Sequence, residues 1–367
     1  MRHISEIDRN FAINADIKRE GMRWFDPKQP PFLLHGLLFD DDGYKRMDSD
    51  VAKSVNDGVY TLHRHTSGGR VSFETDSEYI AIYVKCGVAK SSTMPLTSYT
   101  GFDLYLERDD GALEFTNIFV PPVTMNDCYQ GIFYFGEQGS HKVLMHFPLY
   151  NTVEALYIGL SPNSTVDSYS PYGLEPPVIY YGSSITQGGC VSRPGNAFPA
   201  IASRISKTNY LCLGFSGSAH GEKEMADYIA AQPMSAFILD YDHNDCDNRE
   251  RLADQHSLFY RTVRASHPDI PIIIMSAPYA ARTFFQSHPA KSKQIIFKTY
   301  QDAVTAGEWV YFIDGETLFG ADKDAALVDR IHPGDVGHLK MAKAVLECFD
   351  DIMKKRGFPV FRKGDIN

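Results

Sequence analysis

Val178-Ile179-Tyr180-Tyr181-Gly182-Ser183-Ser184-Ile185-Thr186 reads as an apolar strand that stops at a glycine and leads through a polar turn towards a helix. Strand-like runs of the same kind recur at Tyr210 to Phe215, Ala236 to Tyr241, Ile270 to Met275 and Val310 to Asp314. Helical stretches separate them, near Ala197 to Ser206, Glu222 to Ala231, Arg249 to Ala265, Lys291 to Ala306 and Asp335 to Lys354. Strand-helix alternation predicts a parallel sheet in a three-layer α/β/α, flavodoxin-like domain. In such a sheet the C-terminal strand ends share one edge, where ligands bind. Four polar groups fall at that edge: Gly182-Ser183-Ser184-Ile185-Thr186, Ser216-Gly217-Ser218, His243-Asn244-Asp245 and Asp329-Arg330-Ile331-His332.

Working back towards the N-terminus the rhythm changes. Ser161-Pro162-Asn163-Ser164 through Ser170-Pro171-Tyr172-Gly173 to Pro176-Pro177 reads as a linker. Before it come short runs rich in β-branched and aromatic residues: 59–63, 70–74, 79–84, 101–106, 115–120, 142–147 and 155–160. Many short strands with regular turns predict an antiparallel β-sandwich of jelly-roll type. The expected organisation is therefore a sandwich over 1–170 and an α/β domain over 171–367.

The chain has 367 residues, 43% of them hydrophobic and 22% charged, which suits a globular protein with real cores. Its formal net charge of −10 argues against a nucleic-acid or anionic-membrane partner. The six cysteines are scattered and read as reduced structural thiols, with Cys86, Cys212 and Cys348 in apolar runs. Met1 to Asp8 is polar, lacking the apolar core of a signal peptide, and no run approaches the ~18 apolar residues of a membrane helix. The expectation is a cytoplasmic protein, with a form trimmed of its signal as the alternative.

Serine acyl transfer needs a nucleophile, a base, a carboxylate to orient the base, and donors for an oxyanion. Ser184 lies just past a strand, in the exposed turn before a helix; such serines also serve as helix caps. Asp329 and His332, three apart in a loop, let the carboxylate hold the imidazole Nδ1 proton and leave Nε2 free as base. A surface pair is the plain alternative. Gly217 offers an unobstructed backbone N–H and Asn244 a side-chain amide, although an asparagine there also serves as a loop cap. Taken singly these signals are weak; their coincidence at one sheet edge is what counts.

At these four blocks the chain resembles the SGNH/GDSL hydrolases, which carry Ser, Gly, Asn and His in this order with Asp three residues before the His. The resemblance spans roughly Pro177 to Lys355. It implies Ser184 as nucleophile, His332 as general base and Asp329 as its partner. It also implies an oxyanion hole of the Ser184 N–H, the Gly217 N–H and the Asn244 side chain. Two positions depart from the family pattern: Ser183 stands where an acidic residue is usual, and Asp242 where glycine is usual. Gly101-Phe102-Asp103-Leu104-Tyr105 is similar to the Gly-x-Asp-Leu-Tyr signature of a sandwich domain that precedes some of these enzymes.

The resemblance implies a serine esterase removing a small, acetyl-like acyl group from a hydroxylated or carbohydrate-like molecule, with no cofactor and no metal. Activity is expected to fall on acidification as His332 gains a proton. Acyl transfer to an alcohol acceptor by the same residues, and non-catalytic glycan binding, are the alternatives. The expected partner is a small-molecule or glycan ester, with neither nucleic acid nor membrane; a homo-oligomer stays open. Arg193, just after the nucleophile loop, and His243 are the candidate substrate-binding residues, with a surface salt bridge the other reading of Arg193. His338 is expected to support the cleft by hydrogen bonding. His63 and His65, alternating on an expected strand, suit either a metal or solvent.

Overall fold

A computed structural model describes residues 17, 19–88, 91–123, 127–245, 247–278 and 289–357. Five strands form the parallel sheet, in the spatial order Thr208–Gly214, Leu174–Gly182, Ala236–Asp240, Ile272–Met275, Val310–Ile313. By chain order this is 2-1-3-4-5, the flavodoxin arrangement, whose switch point lies between the first and third strands. Side chains alternate between two cores, as the two-residue strand period requires. Val178, Tyr180, Ile238, Ile273 and Met275 face the helices Phe198–Ser206 and Asp335–Lys355. Ile179, Tyr181, Phe237, Leu239 and Ile274 face Lys223–Ala230, Arg249–Ser266 and Pro289–Thr305. The last helix buries His338, Met341, Ala342, Val345, Leu346, Phe349 and Ile352, a stripe at helical spacing, with Asp335 in its first turn and Lys354 and Lys355 in its last.

The N-terminal region is a sandwich of two antiparallel sheets. One runs Arg23–Phe25, Val153–Leu160, Tyr79–Cys86, Cys128–Tyr134. The other runs Val166–Asp167, Arg70–Thr75, His141–His146, Phe102–Glu107, Leu113–Phe119, with Leu33–His35 also on Arg70–Thr75. Their inward residues, among them Phe73, Ile82, Leu104, Met145 and Ile158, make one core.

Three expectations need correction. Val59 to His63 is not a strand: Asp57–Leu62 is a helix, started by the Asn56 side chain accepting the Val59 N–H at 2.8 Å. His63 and His65 therefore share no strand face. His63 sits against Ser49 and the Tyr60 carbonyl, while His65 bridges to Thr152. The expected linker runs on into the sheet, because the first parallel strand begins at Leu174; pairing skips the two prolines, which lack an N–H, and resumes at Val178. The strand Cys128–Tyr134 was not anticipated at all.

The two halves also share material. Met47, Ala52 and Val59 are buried in the core of the α/β half, the helix Ser49–Val55 packing on Lys223–Ala230. The edge strand Thr208–Gly214 would present unpaired carbonyls, a hazard in any open sheet. Here Arg70 donates to the Tyr210 carbonyl, and Arg46 to those of Cys212 and Gly214. Both arginines are fully buried.

Candidate active site

Ser184 opens the short helix Ser184–Gln187, directly after the first parallel strand. The turn is tight: a Cβ on Gly182 would lie 2.3 Å from the Asp240 carbonyl oxygen, so glycine is required there. Ser183 caps the helix, its Oγ accepting the Ile185 N–H at 3.2 Å. Serine therefore supplies the cap that an acidic residue would give, which accounts for the first departure.

Ser184 Oγ lies 2.9 Å from His332 Nε2, and His332 Nδ1 lies 2.8 Å from Asp329 Oδ2. Asp329 Oδ1 accepts the backbone N–H groups of Ile331 and His332, at 2.7 and 2.6 Å. Partial burial works against ionisation of Asp329, but these donors outweigh it and hold its carboxyl below the usual range. An ionised Asp329 holds the proton of His332 on Nδ1, so Nε2 accepts from Ser184. Ser184 itself is only 6% exposed.

Gly217 adopts φ +63°, in the left-handed region, on the loop after Thr208–Gly214. That loop is held from two sides. Gln187 Oε1 accepts the Ser216 N–H at 3.0 Å, and Asn244 Nδ2 lies 3.1 Å from the carbonyl oxygens of both Phe215 and Ala219. The expected oxyanion donor is thus engaged as a loop brace in this resting geometry. Among the described residues the N–H groups of Ser184 and Gly217 find no acceptor, which leaves both available to a ligand.

Asp242, the second departure, reaches the next loop. Its carboxylate accepts the Ala277 N–H at 3.1 Å, so it couples the loop after the third strand to that after the fourth. Burial pushes its carboxyl up to about 7. His243 is half-buried; chiefly burial pushes its ring down to about 4, so it stands neutral near His332. His338 is neutral too, pushed down to about 4 by burial. Its Nδ1 accepts the Phe198 N–H at 3.1 Å and its Nε2 faces the Gly189 carbonyl at 3.3 Å, which pins the segment after the nucleophile.

Arg193 makes the salt bridge that was its other reading: its guanidinium pairs with the buried Asp103 at 3.0 Å, bonds the Tyr105 hydroxyl, and lies over the Phe115 ring. Asp103 also accepts the Gly195 N–H at 2.7 Å and stands 2.9 Å from His146. A buried carboxylate needs such partners, and the nearest cation is consumed by it. The Gly-Phe-Asp-Leu-Tyr motif is therefore a clamp between the sandwich and the loop that follows the nucleophile.

Three residues near the nucleophile were missed by the sequence reading. The Tyr150 hydroxyl donates to the Ser184 carbonyl at 2.9 Å. Ser67 Oγ donates to the Gln187 carbonyl at 2.7 Å. Cys190, 7% exposed, lies with Met94 and Tyr99 in a small apolar cluster against Tyr150. No local pattern marks Tyr150 or Ser67, because both reach across from the sandwich.

Residues 175–350 match the model of the GDSL-like lipase/acylhydrolase family, and residues 22–166 match that of the N-terminus of SGNH-hydrolase-type esterases. The chain belongs to the SGNH/GDSL hydrolases, in the subgroup with an N-terminal Gly-x-Asp-Leu-Tyr sandwich, and it is an esterase-class enzyme. A protein of Bacteroides ovatus described as a GDSL-like lipase is 27% identical, with a TM-score of 0.82 over 91% of this chain and 98% of its own. A salicylyl-acyltransferase of a tetracycline biosynthetic pathway is 19% identical, with a TM-score of 0.75 over 94% of this chain and 100% of its own. An acetyl xylan esterase of the rumen bacterium Butyrivibrio proteoclasticus is 13% identical, with a TM-score of 0.58 over 91% and 99%. The last two likenesses are of fold. No curated protein matches the sequence.

Proposed function

We propose that the protein is a serine esterase that removes a small acyl group from a hydroxylated or carbohydrate-like alcohol. The observation that carries this reading is the unbroken relay Ser184–His332–Asp329, with contacts of 2.9 and 2.8 Å. His332 takes the Ser184 proton as Oγ attacks the ester carbonyl, and Asp329 stabilises the imidazolium. The negative oxygen settles against the N–H groups of Ser184 and Gly217. Asn244 adds a third donor by exchanging one of its two carbonyl partners. The imidazolium then protonates the leaving alcohol, and water activated by the same histidine releases the acid. The apolar cluster of Met94, Tyr99 and Cys190 beside this centre suits a short acyl chain. The acetyl xylan esterase likeness agrees with a carbohydrate ester.

A second reading, transfer of the acyl group to an alcohol, has one observation in its favour: the deep burial of Ser184, which restricts water. Hydrolysis of p-nitrophenyl acetate and butyrate, with and without an added alcohol, tests both. Turnover lost in Ser184→Ala and faster on acetate supports the esterase. Ester product exceeding free acid when alcohol is present supports transfer. Equal turnover in wild type and Ser184→Ala overturns both.

A further inference from the structure

Cys190 lies beside the relay, and although it lines the apolar cluster it takes no part in the proposed proton and acyl transfers. One ligand atom each of Cys190, Asp329 and His332 lie within 4.8 Å of one another. The three come from two loops far apart in sequence, and the carboxylate side is open enough for entry, Asp329 being exposed and His332 half-buried. We propose that Cys190, Asp329 and His332 form a binding site for a thiophilic divalent cation such as Zn²⁺, and that its occupancy switches the active centre off.

The donor set suits the ion. Zinc is borderline-soft and takes thiolate, imidazole and carboxylate together, usually at four-coordinate tetrahedral centres. Its bonds of about 2.0–2.3 Å set ligand atoms roughly 3.3–3.7 Å apart. The Cys190 sulfur closes that gap by turning about its side chain, and the Asp329–His332 pair, now 2.8 Å apart, opens slightly to admit the ion. Water fills the fourth position.

The inhibitory effect follows from the proton count. In the free site the imidazole carries its one proton on Nδ1, facing Asp329, and Cys190 is a thiol. Zinc on the sulfur releases the thiol proton to solvent. Zinc on Nδ1 takes that lone pair, so the single imidazole proton moves to Nε2. An Nε2–H cannot accept the proton of Ser184. If the ion takes Nε2 instead, the base is occupied directly. Either way the acyl-transfer step loses its base while the protein stays folded.

The effect on turnover rests on the proposed role of His332; the binding does not, so it is read separately. The experiment uses the full chain as wild type, Ser184→Ala, Cys190→Ser and Cys190→Gly. The glycine variant suits the left-handed backbone at Cys190, φ +69°, and keeps the comparison should the serine variant fold poorly. Co²⁺ serves as the spectroscopic probe and Zn²⁺ as the inhibitor. The expected result is a sulfur-to-cobalt charge-transfer band in wild type and Ser184→Ala, absent in both Cys190 variants. Zn²⁺ is expected to inhibit wild-type ester turnover in a way that a chelator reverses, with about tenfold or more Zn²⁺ needed for the Cys190 variants. Absence of the band in wild type, or equal Zn²⁺ sensitivity in all active proteins, overturns the proposal. A band without any wild-type turnover leaves the metal site standing and refutes the esterase reading instead.

Discussion

Asn244 connects the loop after the third parallel strand to the Phe215 and Ala219 carbonyls, and so braces the turn that carries Gly217. An amide with both tasks should show two separable losses. Asn244→Ala is expected to lower kcat by ~10²–10³. It is also expected to lower stability by about 1–2 kcal/mol, since two buried carbonyls lose a donor. Steady-state kinetics and denaturant unfolding of the same variant measure the two, and an unchanged kcat would remove Asn244 from the oxyanion hole. Asp242 makes a prediction of the opposite sign. Its folded carboxyl titrates at about 7, above the ordinary 3.8, so the folded state favours the proton. The stability it contributes is present below pH 4 and is lost as the pH rises through 7. Asp242→Asn, which keeps an acceptor for Ala277, is expected to be more stable than wild type at pH 8 by about 2–4 kcal/mol. The two proteins should be nearly equal at pH 4. Urea unfolding at both values checks this, and a wild type more stable at pH 8 would contradict it.

At the scale of elements the most telling unit is the edge strand Thr208–Gly214. Its outer carbonyls are satisfied by Arg46 and Arg70, which reach it from the sandwich half. Burial lowers Arg46 to about 10, still far above neutrality, so it stays a cation held by carbonyls. Arg46→Leu leaves the carbonyls of Leu62, Cys212 and Gly214 without their donor. The expected cost is about 3 kcal/mol or more, read as a fall in the denaturant midpoint. A change within ~0.5 kcal/mol would mean the edge needs no such cover. None of this was legible locally, because Arg46 and Cys212 are partners only in the folded chain. The helix Asp57–Leu62 was misread for a related reason: β-branched and aromatic residues there suggested a strand, while the Asn56 cap and the burial of Val59 decided for helix.

For the whole molecule, the sheet edge and its four polar groups were legible because apolar runs and helical stretches alternate strongly after Val178. The relay Ser184–His332–Asp329 followed from where those groups fall. Arg193, Tyr150, Ser67 and Cys190 were not legible in their observed settings, since each is defined by contacts between the halves or between distant loops. Those contacts make the halves interdependent: Met47, Ala52 and Val59 fill the α/β core, and Asp103 clamps Arg193 and Gly195. Thermal unfolding followed by calorimetry is accordingly expected to show one transition. A fragment starting at residue 171 is expected to aggregate, its edge strand uncovered. Two well-separated transitions, or a soluble folded fragment, would show the halves to be independent.

Ser184 is proposed to form a covalent acyl intermediate with His332 as base. A fluorophosphonate that phosphorylates activated serines tests it directly, with intact-mass and peptide-mass measurement. One adduct per chain is expected, on the peptide containing Ser184, lost in Ser184→Ala and strongly slowed in His332→Ala. No adduct on wild type, or an adduct that persists in Ser184→Ala, would contradict it.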